Sequence, residues 1–508
     1  MSAPDVNALP AEPPAAAEPP QAKAERSTAA ERIVELAVAR YRLGVTLEGE
    51  HFAARKERPH IALPLRGGRL GLRHALAHDY REATGKVAGQ QALADALLTL
   101  AGIAQESPPE VLHLRVAETP AGLFVDTGDT AGTVLHVTPG EWSVRDSAPV
   151  MFTRTELTGV LAAPARGGDI ARLFEFLNVA AEDHPILLAW LVAALLPDLP
   201  HPILTLTGEQ GTGKSTAARM LVELVDPSPV ALRKPPRDAD GLVTGFSGSW
   251  VVALDNLSTV NDWLSDSLCR IVTGEGDVRR QLYTDGGLSV FAFRRAVILT
   301  GIDFAGLRGD LAERMSLVQL HRIPDTQRAD ERGLQEHWQQ ALPGLRGALL
   351  DLAADVLRVL PAVKLASKPR MADFARIVAA VDRLRGSDGL SRYSSQAAEI
   401  AADSLAASPF VERLLTLSLD FTGTAAQLLE QVTPRGSDWK APRLWPKGAR
   451  EVTTLLKRDA PALRQQGWRV DDVGEDRTHS RLWLVVSPDL EVSSRVLFED
   501  PLADEETF

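Results

Sequence analysis

The run Gly208-Glu209-Gln210-Gly211-Thr212-Gly213-Lys214-Ser215-Thr216 has the residue types of a phosphate-binding loop. A strand-like stretch, residues 203–207, precedes it, and an apolar helical pattern, 217–225, follows. Glycines in this pattern let backbone N–H groups converge on phosphate oxygens. Lys214 would bridge the β- and γ-phosphates of ATP, and the Ser215 hydroxyl would sit on Mg²⁺. The helix starting near Lys214 points its positive end at the phosphates. A second strand, 250–254, ends in Asp255, where a carboxylate holding Mg²⁺ is expected. Asn256 comes next. Its amide positions a water without taking a proton, or simply caps the following turn. A third strand, 295–300, ends at Thr300, a γ-phosphate sensor position, although Thr is also an ordinary strand end. Arg314 stands where a helix end, 310–314, meets another apolar strand. From there it could reach a neighbouring subunit's γ-phosphate, or it forms a surface pair with Glu313 or Asp310. Arg308, in the preceding turn, and Arg370 are further arginines of this kind.

Two other groups have the chemistry to contact nucleic-acid phosphates. Residues 278–283 and 288–293 are strand-like and flank Asp285-Gly286, a strong hairpin signal. Arg279 and Arg280 offer charge there and Tyr283 a stacking face, though an ordinary solvated hairpin would look the same. Arg294 and Arg295 end that hairpin. Residues 435–470 hold nine Lys or Arg against three acids, including Lys447, Arg450, Lys457 and Arg458. This local excess stands in a chain of net charge −12. Trp439 and Trp445 lie in the same stretch. A basic face packed on an acidic neighbour is the other reading.

The elements that must position these groups follow from the patterning. The chain has 508 residues, 45% of them apolar and 24% charged, which is ordinary for a soluble globular protein of about three domains. Its one cysteine, Cys269, excludes a disulfide framework and a multi-cysteine zinc site, and fits a reducing cytoplasm. The longest apolar run, 186–196, is too short to span a membrane and reads as a buried helix. Residues 1–24 hold eight Ala and six Pro, the composition of a disordered leader. Residues 25–150 read as an α+β domain. Ile33, Leu36, Ala37 and Tyr41 share a helical face, 91–103 is a second helix, and 112–118, 122–126, 134–138 and 142–145 form a strand meander. Asp126 and Asp129 could pair on a metal, but turn chemistry around Gly128 explains them as well. A helical connector (151–197) leads into an α/β P-loop core (198–325), a helical lid (326–410), a C-terminal module (411–490) and an acidic tail (491–508). In the module, helices at 424–432 and 448–466, the latter broken near Pro461, and strands at 468–473 and 481–486 give a winged-helix arrangement.

Taken in order, the loop, Asp255, the Thr300 strand and Arg314 resemble the hexameric AAA+-like ATPases of superfamily 3. The closer likeness is to the helicase half of phage, plasmid and poxvirus-type primase-helicases, over about residues 174–320. Residues 208–216, 263–270 and 370–375 are also similar to a bacterial group of ATP-binding proteins from mobile elements. The resemblance implies a parallel sheet flanked by helices and a ring, most simply a hexamer, around single-stranded DNA. It further implies ATP and Mg²⁺ as cofactors, and a pore hairpin just before the sensor strand. Asn256, where hydrolytic relatives carry Glu or Asp, and Thr300, where ring ATPases commonly carry Asn, are departures. The expected function is an ATP-dependent DNA helicase or translocase in replication of a phage, plasmid or integrated element, with a primase or replication protein supplied in trans. The alternative is a nucleotide-switched assembly ATPase, for example in phage defence, that unwinds nothing.

Overall fold

The computed structural model describes residues 27–490, apart from 258–259, 276, 281–287, 292–293, 302–308, 324–329, 407, 437 and 476–479. The expected leader (1–24), the acidic tail (491–508), Tyr283 and Arg308 lie outside the described residues. The side chains of Arg279 and Arg280 do so as well.

The chain opens with the helix Ala29–Arg40. Thr28 and Glu31 cap it reciprocally, each side chain bonding the other's backbone N–H. Tyr41, expected on this helix, instead begins the strand Tyr41–Thr46. Its hydroxyl donates to the buried Asp79 carboxylate at 2.7 Å, so a tertiary bond draws it out of the helical pattern. The helix expected at 91–103 runs Gln90–Ala104, and a helix that the pattern did not show, Leu72–Thr84, comes before it. A six-stranded sheet gathers Tyr41–Thr46, His51–Arg55 and Ile61–Pro64 with the later Met151–Thr153 and two short edge strands. The expected meander is present as a separate four-stranded antiparallel sheet. Its first strand is shorter than expected. Leu112–His113 joins the six-stranded sheet, and only Val116–Thr119 joins the meander. The sheet closes at Thr153, beyond the expected boundary at 150.

Between 154 and 197 the expected helical connector is mostly irregular, with a short 3-10 turn at Ile170–Glu175 and one α-helix, His184–Ala193. That helix is buried all round, as its continuous apolar sequence requires.

The centre is a five-stranded parallel sheet in the spatial order Leu232–Arg233, Val251–Leu254, Ala296–Thr300, Ile203–Thr207, Met315–Gln319. The strand ending at Thr300 therefore lies between the P-loop strand and the Asp255 strand. In a parallel sheet all the carboxyl ends share one edge, so the loop, Asp255 and Thr300 meet there.

Three helices follow: Glu331–Val359, Ala372–Arg385 and Gly389–Ala406. Trp142 of the meander, Trp190, Leu204 of the P-loop strand, Trp338 and Phe374 all belong to one hydrophobic core. The helices expected as a lid are thus built into the same core as the sheet and the N-terminal meander.

The C-terminal module has a core of its own, including Phe410, Leu428, Val452, Leu463 and Trp483. It runs helix Pro409–Leu415, strand Asp420–Thr424, helices Ala425–Val432 and Ala449–Gln465, and strands Arg469–Glu475 and Arg481–Val486. The last helix continues through Pro461, where a break was expected. Proline removes the bond to the Lys457 carbonyl, and both residues are exposed, so water can satisfy it.

Candidate nucleotide site

The P-loop turns out of its strand on glycine geometry. Gly208 has φ 138°, and a Cβ there would lie 2.5 Å from the Leu320 carbonyl oxygen. Gly213, at φ 83°, caps the helix Lys214–Val225 without a side-chain bond. The helix's first N–H groups are therefore available to an anion. Lys214 Nζ donates to the carbonyls of Gly208 and Glu209, each at 2.8 Å, so the ammonium already lies over the loop. Thr212 Oγ1 braces the turn against the Glu209 carbonyl at 3.0 Å.

Ser215 Oγ donates to Asp255 Oδ1 at 2.8 Å, and Thr300 Oγ1 donates to the same oxygen at 2.5 Å. Thr300, expected as a phosphate sensor, is buried and commits its only proton to Asp255. It also accepts from the Asn256 N–H at 3.0 Å, while its carbonyl accepts from Leu257 N–H at 2.9 Å. Asn256 sits at φ 59°, a left-handed conformation that Asn tolerates, and it is exposed. Gly301 fits beneath it, since a Cβ there would lie 3.1 Å from Asn256 Cα. The donor set fits the expected group. A hydroxyl and a carboxylate oxygen converge as hard ligands for Mg²⁺, beside an uncapped helix N-terminus suited to phosphate.

Arg314 occupies the opposite edge of the sheet. Its carbonyl accepts from Ile203 N–H, at the first residue of the strand whose last residue leads into the P-loop. Five strand residues put it about 17 Å from its own phosphate site. Its guanidinium pairs with Asp310 at 2.5 Å and is 12% exposed, while Arg370 reaches Asp310 at 2.5 Å and Glu313 at 2.8 Å and is 43% exposed. Burial, and a hydrogen bond to Asp310, push the Cys269 thiol up to about 12, so it is a weak donor in this cluster and not a nucleophile.

Sequence reasoning missed how the far end of the P-loop helix is held. Arg346 donates to the Glu223 and Leu224 carbonyls at 2.8 and 3.2 Å, a cation at the helix's negative end. Burial lowers its pKa to about 10. Arg115 of the meander reaches Asp226 at 2.8 Å, and Asp226 accepts from Trp250 and Val251 N–H of the Asp255 strand. An arginine at a buried position of an apolar helix was the only signal for Arg346. Nothing in sequence tied Arg115 to a residue so distant.

The candidate nucleic-acid residues divide. Of the expected hairpin, Asp277–Arg280 and Leu288–Phe291 pair antiparallel, with Arg279 opposite Ser289 and Arg280 opposite Leu288, while 281–287 lie outside the described residues. Arg294 and Arg295 are consumed by structure, bonding the carbonyls of Pro197 and Thr273, and of Phe246. Lys447, Arg450 and Lys457 are exposed and have no ion pair among the described residues. Arg458 is held by Asp459 at 2.7 and 2.8 Å. Trp445 packs against Phe410 and Trp439, with ring centres 5.5 and 5.0 Å apart. Asp126 is buried against Arg154, and Asp129 accepts from Gly132 and Thr133 N–H, which is turn chemistry. Among the described residues the one metal-like cluster is His78, Asp79 and Glu82, and arginines occupy its acids. No described helix is long and apolar enough to cross a membrane.

The molecule is thus an α/β protein whose parallel sheet carries a phosphate-loop sequence at its carboxyl edge. Residues 169–403 match the family model described as actinomycete integrative conjugative element replication protein, and residues 410–493 match that of the AICE RepA C-terminal domain. No curated protein matches the chain. Among solved structures, the SCCmec type IV Cch active helicase is 14% identical over 89% of this chain and 94% of its own, with a TM-score of 0.44. The apo NrS-1 C-terminal region is 12% identical over 90% and 99%, with a TM-score of 0.40. A JCV helicase with a bound compound is 14% identical over 46% and 72%, with a TM-score of 0.22. All three scores are low, and the fold description stands on the strand order.

Proposed function

We propose that the chain is an ATP-driven DNA motor, assembled as a ring, that serves replication of an integrated mobile element in the cytoplasm. The observation that carries this reading is the meeting of Ser215, Asp255 and Thr300 beside Lys214 at one sheet edge. Lys214 would neutralise the β- and γ-phosphates, and Ser215 and Asp255 would hold Mg²⁺. The metal, when bound with ATP, supplies charge that stabilises the transferring phosphoryl group. Thr300 keeps the Asp255 carboxylate oriented. Asn256 orients the attacking water without accepting its proton. Arg314, too far from its own P-loop, serves the site of a neighbouring subunit, and the hexamer is the favoured ring.

Single-stranded DNA is the proposed track, with Arg279, Arg280 and Tyr283 in the pore. The module 409–490 is read as a winged helix: three helices and a two-stranded wing, with Lys447, Arg450 and Lys457 available to phosphates. A separate primase or replication protein would act in trans. The replication-protein family match supports the setting. One feature favours the switch reading instead, in which slow hydrolysis prolongs an assembled state: Asn256 in place of a carboxylate.

The deciding experiment mixes two inactive variants. Lys214→Ala and Arg314→Ala should each lose most turnover, by about 10³-fold or more for the arginine. Co-assembled, they should regain phosphate release, because an intact Lys214 meets an intact Arg314 from the next subunit. Activity no greater than the sum of the two variants removes the trans arginine. DNA stimulation of the wild-type rate selects the motor over the switch.

A further inference from the structure

Between the strand Ile61–Pro64 and the helix Leu72–Thr84 the chain reads Arg66-Gly-Gly-Arg69-Leu-Gly-Leu-Arg73-His74. This loop is folded tightly on itself. Gly71 N–H donates to the Gly68 carbonyl at 3.1 Å, and a Cβ on Gly71 would lie 3.2 Å from the Pro64 carbonyl oxygen. Leu65 and Leu72 are buried at its two ends, while Arg66, Arg69, Arg73 and His74 are all exposed. The helix continues the same surface. Arg73 and Arg81 lie two turns apart, with His74 and His78 beside them, all exposed.

None of the four arginines has an ion-pair partner among the described residues. The helix's own acids pair with arginines outside the strip, and Asp79 also lies 3.7 Å from His78. Asp79 is held by Arg55 at 2.8 Å and Arg40 at 3.3 Å, and Glu82 by Arg40 at 2.9 Å. Glu156 is the nearby acid, its carboxylate 2.9 Å from where a Cβ on Gly68 would stand. The helix's first turn carries no acid, and Gly71 offers no side-chain cap. The result is a cationic strip on a chain whose net charge is −12.

We propose that this strip binds the phosphate backbone of DNA without reading its sequence, as a second grip on the track. The identity of the partner as DNA rests on the motor reading above. The guanidinium fork suits phosphate oxygens. Arg73 to Arg81 spans about 12 Å of helix, the rise of three to four stacked nucleotides of one strand at about 3.4 Å each. Tyr80, the one Phe, Tyr or Trp between 66 and 81, is buried, so no large aromatic face is offered to a base. Leu70 is the one exposed large apolar side chain there, at 40%, too little for the apolar centre of a protein interface.

The test is fluorescence anisotropy of a mixed-sequence duplex and single strand across a salt series, with the full chain and no nucleotide. In R66A/R69A/R73A the log–log salt slope should fall by about 2 to 3, at roughly 0.7 to 0.9 per lost contact, with affinity down about tenfold or more at low salt. Turnover without DNA should be unchanged. R66K/R69K/R73K, which keeps the charge, should regain most of the slope. Unchanged slope and affinity in the alanine variant, with wild type binding DNA, overturns the second grip, leaves the motor reading intact and assigns the strip to an acidic protein. A lysine variant as weak as the alanine variant also overturns it, because charge would not be the cause. A wild-type chain that binds no DNA at low salt sinks both proposals together.

Discussion

The N-terminal meander and the C-terminal module are joined to the parallel sheet in opposite ways. The meander shares its hydrophobic core with the sheet, and Arg115 locks it to Asp226 at the end of the P-loop helix. The C-terminal module encloses its own core and rests on the rest of the chain through the helix Ala449–Gln465, which packs against Gly389–Ala406 and Gly309–Ala312. The meander, but not the helices Ala29–Arg40, Leu72–Thr84 and Gln90–Ala104, which enclose a separate core, is therefore built into the parallel-sheet unit, and residues late in the chain are attached to it. Chain order alone suggests the reverse, since a front domain is the easier one to imagine as an appendage.

The strongest challenge to this contrast is Asp226→Ala. It leaves the Arg115 guanidinium buried without its counter-charge and frees the Trp250 and Val251 N–H groups. A loss of about 3 to 5 kcal/mol is expected, as for other broken buried pairs. Denaturant unfolding followed by tryptophan fluorescence and by nucleotide binding should show both signals moving together. If nucleotide binding survives while the meander unfolds alone, the two are not one unit.

A chain ending at 408 should have a milder effect. It should remain folded and keep most turnover in the absence of DNA, while its DNA affinity and salt dependence drop. Collapse of turnover in this truncation would mean that the module supports the sheet, through its contact near Arg314, as firmly as the meander does.

The smallest expected effect belongs to Asn256→Asp. Aspartate tolerates the left-handed backbone at φ 59° about as well as asparagine, so stability should barely change. A carboxylate beside the water would accept its proton, and steady-state phosphate release should rise or stay level. A large fall with nucleotide binding intact would show that the amide donates a bond that a carboxylate cannot.

Much of the site was legible in the sequence because its parts are local. The loop, the acid ending the second strand and the hydroxyl ending the third are each readable from a short run, and parallel pairing brings them to one edge. The meander and the last two strands of the C-terminal module were legible for the same reason, whereas the module's first strand, Asp420–Thr424, was not. What escaped was set by distant partners. Tyr41 left its helix for a bond to Asp79, 38 residues on. The run 112–118 was divided between two sheets that no local pattern distinguishes. Thr300 looked like a group facing phosphate, but its proton goes to Asp255. Arg458 looked like a free cation and is neutralised by the next residue. The helices 331–406 were expected to pack on the sheet, but their amphipathic faces did not show that the meander shares that core.

Arg314's place at the far edge of the sheet has one more consequence. If each chain completes its neighbour's site, an isolated chain is an unfinished catalyst. Output per molecule then depends on crowding: dilute protein idles, and turnover climbs steeply as molecules gather. A replication origin that collects several copies would act as an ignition point, confining fuel consumption to the place where the machine is needed.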